Sequence, residues 1–270
     1  MGLPGSELYW DTSLQPLGRW YCRLLGVPIV GLRIRLRRLE KLLPKQASSV
    51  LDAGCGRGVI ARTLARKYSN ANVDAVDENP EVQEINQKLA TRAQLENCRF
   101  ITADLLQFEE KDKYDLIVSV DNLEHVDKDY LVLDNLYRSM KTAGSLLIHV
   151  PHYYRRWPLF KWSTNFDVPG HVRPGYHLPE LTERVRRAGF TIVRAGFSYG
   201  FIENLINNLS YRITGAQEKN KILYAALFPI LNAVAWLGQW SKPSFGAGVW
   251  VIAEKTSVTT RPAVVDRSKD

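Results

Sequence analysis

Val50-Leu51-Asp52-Ala53-Gly54-Cys55-Gly56-Arg57-Gly58 decides how the rest of the chain folds. A short apolar run ends in an acid, glycine recurs at every second position, and an alanine- and arginine-rich helical pattern follows. This predicts a strand, a tight turn and the start of a helix. Glycine reaches positive φ and lacks a Cβ, so such a turn lets a ligand approach the backbone closely. The helix beyond it offers unpaired N–H groups. Asp52, just before the turn, adds an acceptor that suits a cationic group.

Strand-like runs near 49–53, 72–76, 98–103, 114–120 and 145–150 alternate with helical patterns around this stretch. Leu133, Leu136, Tyr137 and Met140 mark one helical face, and Gly144 follows as a stop signal. Continuous apolar strands separated by helices predict an α/β fold with a parallel sheet covered on both faces. Ligands of such sheets bind at the C-terminal strand ends. Residues 190–197 and 249–254 read as two further strands.

The run Leu51-Asp52-x-Gly54-Cys55-Gly56-x-Gly58 resembles motif I of class I S-adenosylmethionine-dependent methyltransferases. Leu123-Glu124-His125-Val126 and Gly170-His171-Val172-Arg173 look like segments common in the small-molecule branch of that family. The dinucleotide fingerprint G-x-G-x-x-G fits less well, because Val59 stands where its third glycine belongs. A pyrophosphate would also be repelled by Asp52. The resemblance covers most of residues 45–200 plus the last strand. It implies a Rossmann-like seven-stranded, mostly parallel sheet with an antiparallel last strand, and S-adenosylmethionine as methyl donor.

Site residues carried by this resemblance are Asp52, Gly54, Cys55, Gly56 and Gly58 at the glycine turn. Asp77, with Glu78 beside it, is placed like the acid that binds the ribose hydroxyls. A carboxylate can accept both hydrogen bonds of a diol. Asn79 before Pro80 makes a better helix cap, which frees Asp77. Asp104 and the backbone of Leu105 match the segment that reads the adenine, with an ordinary strand-end acid as the alternative. Asp121 should lie near the methionine part of the cofactor.

Residues 151–177 are aromatic and basic and follow the fifth strand, where an acceptor should bind. Tyr153, Tyr154, Trp157, His171 and Tyr176 are the candidate acceptor contacts, His171 being in part a scaffold residue. His152 is the preferred general base, since an unperturbed histidine takes a proton at neutral pH. The alternative is a hydrogen-bonded loop histidine. His125 reads either as a base or as a structural residue capping the next helix.

Cys22, Cys55 and Cys98 are isolated, giving neither a disulfide framework nor a zinc site. No metal is expected, and a reducing compartment, the cytoplasm, is. No secretory signal is visible at the N-terminus. Net charge is +8, which favours anionic partners of several kinds. The Asn-Pro-Pro-Tyr motif of nucleobase amine methylation is missing, so nucleic acid is not the favoured partner.

Residues 1–48 form a helical arm with leucines 32, 36, 39 and 43 at helical spacing and Arg33, Arg35, Arg37, Arg38 and Lys41 between them. This helix is expected to pack on residues 49–255 with its charges in water, a membrane surface being the alternative. Residues 200–247 are an insert whose centre, from Ile222 to Trp240, carries no charge. It reaches the ~20-residue length of a membrane span. Pro229 argues against spanning, and so does topology, because the last strand must rejoin its sheet. One or two apolar helices over the site mouth are expected, packed on the core or dipping into a lipid interface. The expected acceptor is a small, lipophilic molecule such as an isoprenoid, quinone, phenol or lipid-linked sugar. The tail 256–270 is polar, without periodicity, and expected to be disordered.

Overall fold

A strand buried on both faces needs mostly apolar side chains, and the central strands of this chain supply them, with Asp52, Asp74, Ser119 and His149 among the buried polar exceptions. The computed structural model describes residues 3–156, 161–165, 170–214 and 219–256. Trp157, Phe166 and all of the tail but Thr256 lie outside them. The sheet contains β1 (Ser49–Ala53), β2 (Asn72–Asp77), β3 (Cys98–Thr102), β4 (Tyr114–Val120), β5 (Met140–Pro151), β8 (Thr191–Ser198) and β9 (Gly248–Glu254). Its spatial order is β3-β2-β1-β4-β5-β9-β8. The pairs from β3 to β5 are parallel, and β9 runs antiparallel to both neighbours. This is the expected seven-stranded architecture.

Alternation along each strand serves two cores. Leu51, Ile117 and Ile148 face one layer with α5 (Asp129–Ser139) and α6 (Leu178–Arg187). Val50, Leu116, Val118 and Leu147 face the other with α3 (Val59–Lys67) and α4 (Pro80–Arg92). Asn79 caps α4, its side chain accepting from the Val82 N–H at 3.1 Å, with Pro80 in the first turn. β5 corrects one expectation: the helix stops at Ser139, the strand begins at Met140, and Gly144 lies inside the strand. A register shift between Tyr114 and Leu116 absorbs the irregular start. A small hairpin, β6 (Tyr154–Arg156) and β7 (Trp162–Thr164), follows β5.

The arm contributes α1 (Pro16–Leu25) and α2 (Val30–Glu40), and the insert contributes α7 (Phe201–Thr214) and α8 (Lys221–Leu237). They share one apolar cluster in which Val30, Ile34, Ile206, Phe228, Leu231 and Ala235 are buried together. The arginines of α2 do not stand in water as expected. Arg33 donates to the Pro4 carbonyl, Arg37 to Asn232 and Arg38 to Glu203 and to the Gly238 and Ser241 carbonyls. The reason is geometric: α2 is covered on its polar side by the insert and by the N-terminal segment at Pro4, so its cations must find partners there. Glu203 is fully buried and meets Arg38 at 2.7 Å. Removing one partner of such a pair leaves an uncompensated charge. Arg38→Ala is therefore expected to cost about 3 kcal/mol in urea unfolding. Glu183→Ala, on an exposed pair with Arg186 and Arg187, should change it by no more than about 1 kcal/mol.

Candidate active site

The acids that the strand pattern delivers to one edge of the sheet meet there. Asp52 is the penultimate residue of β1, Asp77 ends β2, Asp104 follows β3 and Asp121 follows β4. All four strands are parallel, so these are the C-terminal ends where open α/β sheets bind ligands.

The glycine turn has the predicted form. Gly54 has φ 78°, and a Cβ there would come within 2.3 Å of the Asn122 side chain. Gly56 has φ 48°, and a Cβ there would meet open space. The first glycine is thus needed for close packing, while the second leaves exposed backbone toward a ligand. Gly58 caps α3 against Phe100. Cys55 turns inward instead. Its N–H donates to the Val76 carbonyl, its side chain reaches Gln83, and burial pushes its thiol pKa up.

Asp52 is 1 % exposed, and neither carboxylate oxygen has a hydrogen-bond partner among the described residues. Burial, more than the neighbouring Asp77 charge, pushes its pKa up to about 7. Asp77 accepts from the Gly56 N–H at 2.8 Å and from the Asn79 N–H at 3.3 Å, each oxygen keeping a further lone pair. Glu78, beside it, is exposed. Asp104 accepts from the Leu106 N–H at 2.8 Å, and the Leu105 carbonyl accepts from Asn135.

Asp121 adopts φ 50° and forms an ion pair with Arg35 of α2. His149 Nδ1 stands 3.2 Å from the same carboxylate, and its Nε2 lies 2.7 Å from the Ser198 hydroxyl. Burial would raise the Asp121 pKa, but Arg35 first and His149 second outweigh it and hold the group below the ordinary carboxylate value. Glu124 lies in a short 3-10 turn, Leu123–His125, and is fully buried. Burial, reinforced by the Asp121 charge, pushes its pKa well up.

The candidate acceptor residues divide. Tyr153 stacks on His177 at 4.7 Å, and Tyr154 is exposed at the start of the hairpin. Trp157 lies outside the described residues. Tyr176 is not at a ligand surface: it is fully buried, donating to Asp129 and accepting from Arg173. The aspartate it serves is itself buried between Arg173 and Arg184, so the ring completes a core network. His152 is also sealed in. Its Nδ1 donates to the Gly246 carbonyl at 3.0 Å, Phe245 and Phe197 pack on its ring, and burial lowers its pKa. His125 does not cap α5, which begins after Lys128. It donates across to the Gly170 carbonyl at 3.0 Å and packs against His171.

Arg35 and His149 were not among the expected site residues. Nothing in the spacing distinguishes Arg35 from the other arginines of α2. His149 carried a faint signal, as the one basic residue inside the buried run Leu146-Leu147-Ile148-His149-Val150.

A protein-family model described as a methyltransferase domain matches residues 31–195. Among curated proteins, (S)-coclaurine N-methyltransferase of Papaver somniferum is 28% identical over 137 residues, 48% of this chain and 39% of that protein. Trans-aconitate 2-methyltransferase of Enterobacter sp. (strain 638) is 30% identical over 134 residues, 50% of this chain and 46% of that one. The chain thus spans less than half the length of these curated relatives. Among solved structures, coclaurine N-methyltransferase bound to N-methylheliamine and SAH superposes with TM-score 0.56 at 15% identity, covering 83% of this chain and 72% of that one. The [4+2]-cyclase SpnF superposes with TM-score 0.58 at 17% identity, covering 83% and 80%. These likenesses establish the fold.

The buried Asp52 has a consequence for stability. Its pKa is raised on folding, so the folded chain holds a proton that the unfolded chain releases between the ordinary value of 3.8 and about 7. Asp52 therefore stabilises the fold fully only below the lower value, and stability falls as pH rises through the upper one. The ligand-free protein should lose stability on the order of a few kcal/mol between pH 5 and 8 in urea unfolding. Asp52→Asn should flatten this slope and be the more stable protein at pH 8.

Proposed function

Because the chain belongs to the methyltransferase domain family, we propose that it methylates a small lipophilic acceptor from S-adenosylmethionine, working at a lipid surface. The observation that carries the donor assignment is Asp52: a buried carboxylate with no partner, beside backbone left open at Gly56. A charge left in this state calls for a cation. S-adenosylmethionine, when bound, supplies a methyl group on a sulfonium together with a cationic amino group. Asp52 and the turn at Gly54, Gly56 and Gly58 would hold the methionine part. The spare lone pairs of Asp77 would accept from the ribose diol, with Glu78 at the rim. Asp104 and the Leu105 backbone would receive the adenine. Asp121, fixed by Arg35 and His149, would form the wall on the methionine side. Holding donor and acceptor in line supplies much of the rate in such a displacement.

The acceptor class rests on α8. The stretch Lys221–Trp240 is long and apolar enough to cross a bilayer, and most of it is not buried. β9, which follows it, rejoins the sheet between β5 and β8, so the helix lies along a surface rather than through a membrane. Ile222, Ile230, Trp236, Leu237 and Trp240 are exposed along it. α1 packs beside it, Tyr21 donating to the Ala225 carbonyl, and adds exposed Leu17, Trp20 and Leu24. Interfacial helices pair such apolar faces with tryptophan at the polar boundary.

Behind this face lies a cavity of about 520 Å³ between α2, α3 and α8, with an apolar floor that includes Leu36, Leu39 and Leu64. Arg37, with two buried guanidinium nitrogens, and Arg66, with one, also line it, and those three nitrogens have no hydrogen-bond partner among the described residues. An anionic lipid head group has the charge to satisfy them.

Calorimetry should show S-adenosylmethionine binding that tightens as pH rises through 7. Asp77→Ala should weaken it at least ~tenfold, the cost of hydrogen bonds to a charged acceptor. Flotation should place the protein with anionic vesicles, and labelled methyl transfer should favour apolar over polar acceptors. No donor binding would remove the methyltransferase reading. Donor binding with turnover confined to polar acceptors and no flotation would remove the lipid reading alone.

A further inference from the structure

We propose that Glu124, His125 and His171 form a binding site for one divalent transition-metal ion beside the C-terminal end of β4. The proposal does not depend on the methyl-transfer reading. Each side chain offers one ligand atom, and the three atoms lie within 4.8 Å of one another. Ligand atoms around a tetrahedral ion sit about 3.4 Å apart at ordinary zinc–nitrogen and zinc–oxygen bond lengths. Small side-chain rotations therefore close the site.

Three further observations point to a ligand. Both oxygens of Glu124 are buried and have no hydrogen-bond partner among the described residues. The cations around it are engaged, Arg35 with Asp121 and Arg173 with Asp129. His125 is set for ligation, because the Gly170 carbonyl can only accept. That contact places the proton on Nδ1 and leaves Nε2 with the free lone pair. A carbonyl behind the distal ring nitrogen is the usual support of a metal-bound histidine.

The two segments that carry the ligands are also pinned together without any ion. The Val172 N–H donates to the Glu124 carbonyl at 2.9 Å, alongside the His125–Gly170 contact. The site is thus preorganised by backbone rather than assembled by the metal. Two imidazoles and one carboxylate suit zinc, manganese or iron(II) better than magnesium or calcium. Three protein ligands leave a position open for water or an oxygen donor of a substrate. Sequence spacing hides this site, since its ligands come from two segments joined only in the fold.

The test uses tag-free full-length protein, stripped with chelator and dialysed. Calorimetric titration with Zn²⁺, and visible absorption with Co²⁺, should each report one equivalent bound. His125→Ala and His171→Ala should each weaken binding at least tenfold, and His177→Ala should leave it unchanged. His125 is exposed, so its variant is expected to fold, which far-ultraviolet circular dichroism checks. Glu124→Gln should shift the Co²⁺ spectrum even where it retains residual binding. Absence of stoichiometric uptake by the wild-type protein overturns the proposal. So does binding that persists undiminished in both histidine variants while the fold is intact.

Discussion

A parallel sheet delivers every strand end to the same edge, and in this chain the residues delivered there are acids. Asp52, Asp77, Asp104, Asp121 and Glu124 stand at or just beyond the ends of four successive strands. Like charges gathered in a poorly solvated place must be neutralised, solvated or paired. The structure does each in turn. Asp121 is paired with Arg35, Asp77 is solvated by backbone N–H groups, and Asp52 and Glu124 are pushed toward their neutral forms. The last two are the places where the chain alone leaves its electrostatics unresolved. They are also where an external cation gains most.

Arg35 joins this edge to the outer layer. It belongs to α2, whose Arg37 and Arg38 reach Asn232 of α8 and Glu203 of α7. The same helix buries Val30 and Ile34 against Phe228 and Leu231 of α8. Tyr199, whose hydroxyl donates to the Gly31 carbonyl, ties the end of β8 to α2 as well. An apolar surface and an acidic site are therefore joined through one helix. A shift of α8 has a direct mechanical route to the Arg35–Asp121 pair.

The sheet was legible because two-sided burial forces a largely apolar run at each central strand, and loops such as Asn79-Pro80 carry their own stop and start chemistry. The turn at Gly54 to Gly58 was legible for the same reason: few residues tolerate its backbone. Side-chain partners were not legible, because they depend on elements distant in sequence. Arg35 looks like its neighbours on α2 until the fold sets it beside Asp121. Tyr176 and His152 had the right chemistry and position after β5 for a binding loop. Their burial follows from Asp129, Arg173 and the Phe197–Phe245 packing, none of which local sequence foretells. The start of β5 at Met140 was missed because a residue continuing a helical face looks the same when it opens a strand.

The charge of the whole chain also changes meaning once the structure is known. A net charge of +8 with arginine clustered in α2 suggests an anionic macromolecule. Arg33, Arg35, Arg37 and Arg38 are instead turned to partners within the fold. Those cations hold the arm and insert against the sheet, and the surface they leave on α8 and α1 is apolar and aromatic. Electrostatics in this protein is thus directed inward, toward its own acidic edge. The chemistry presented outward is that of Ile222, Ile230, Trp236, Leu237 and Trp240.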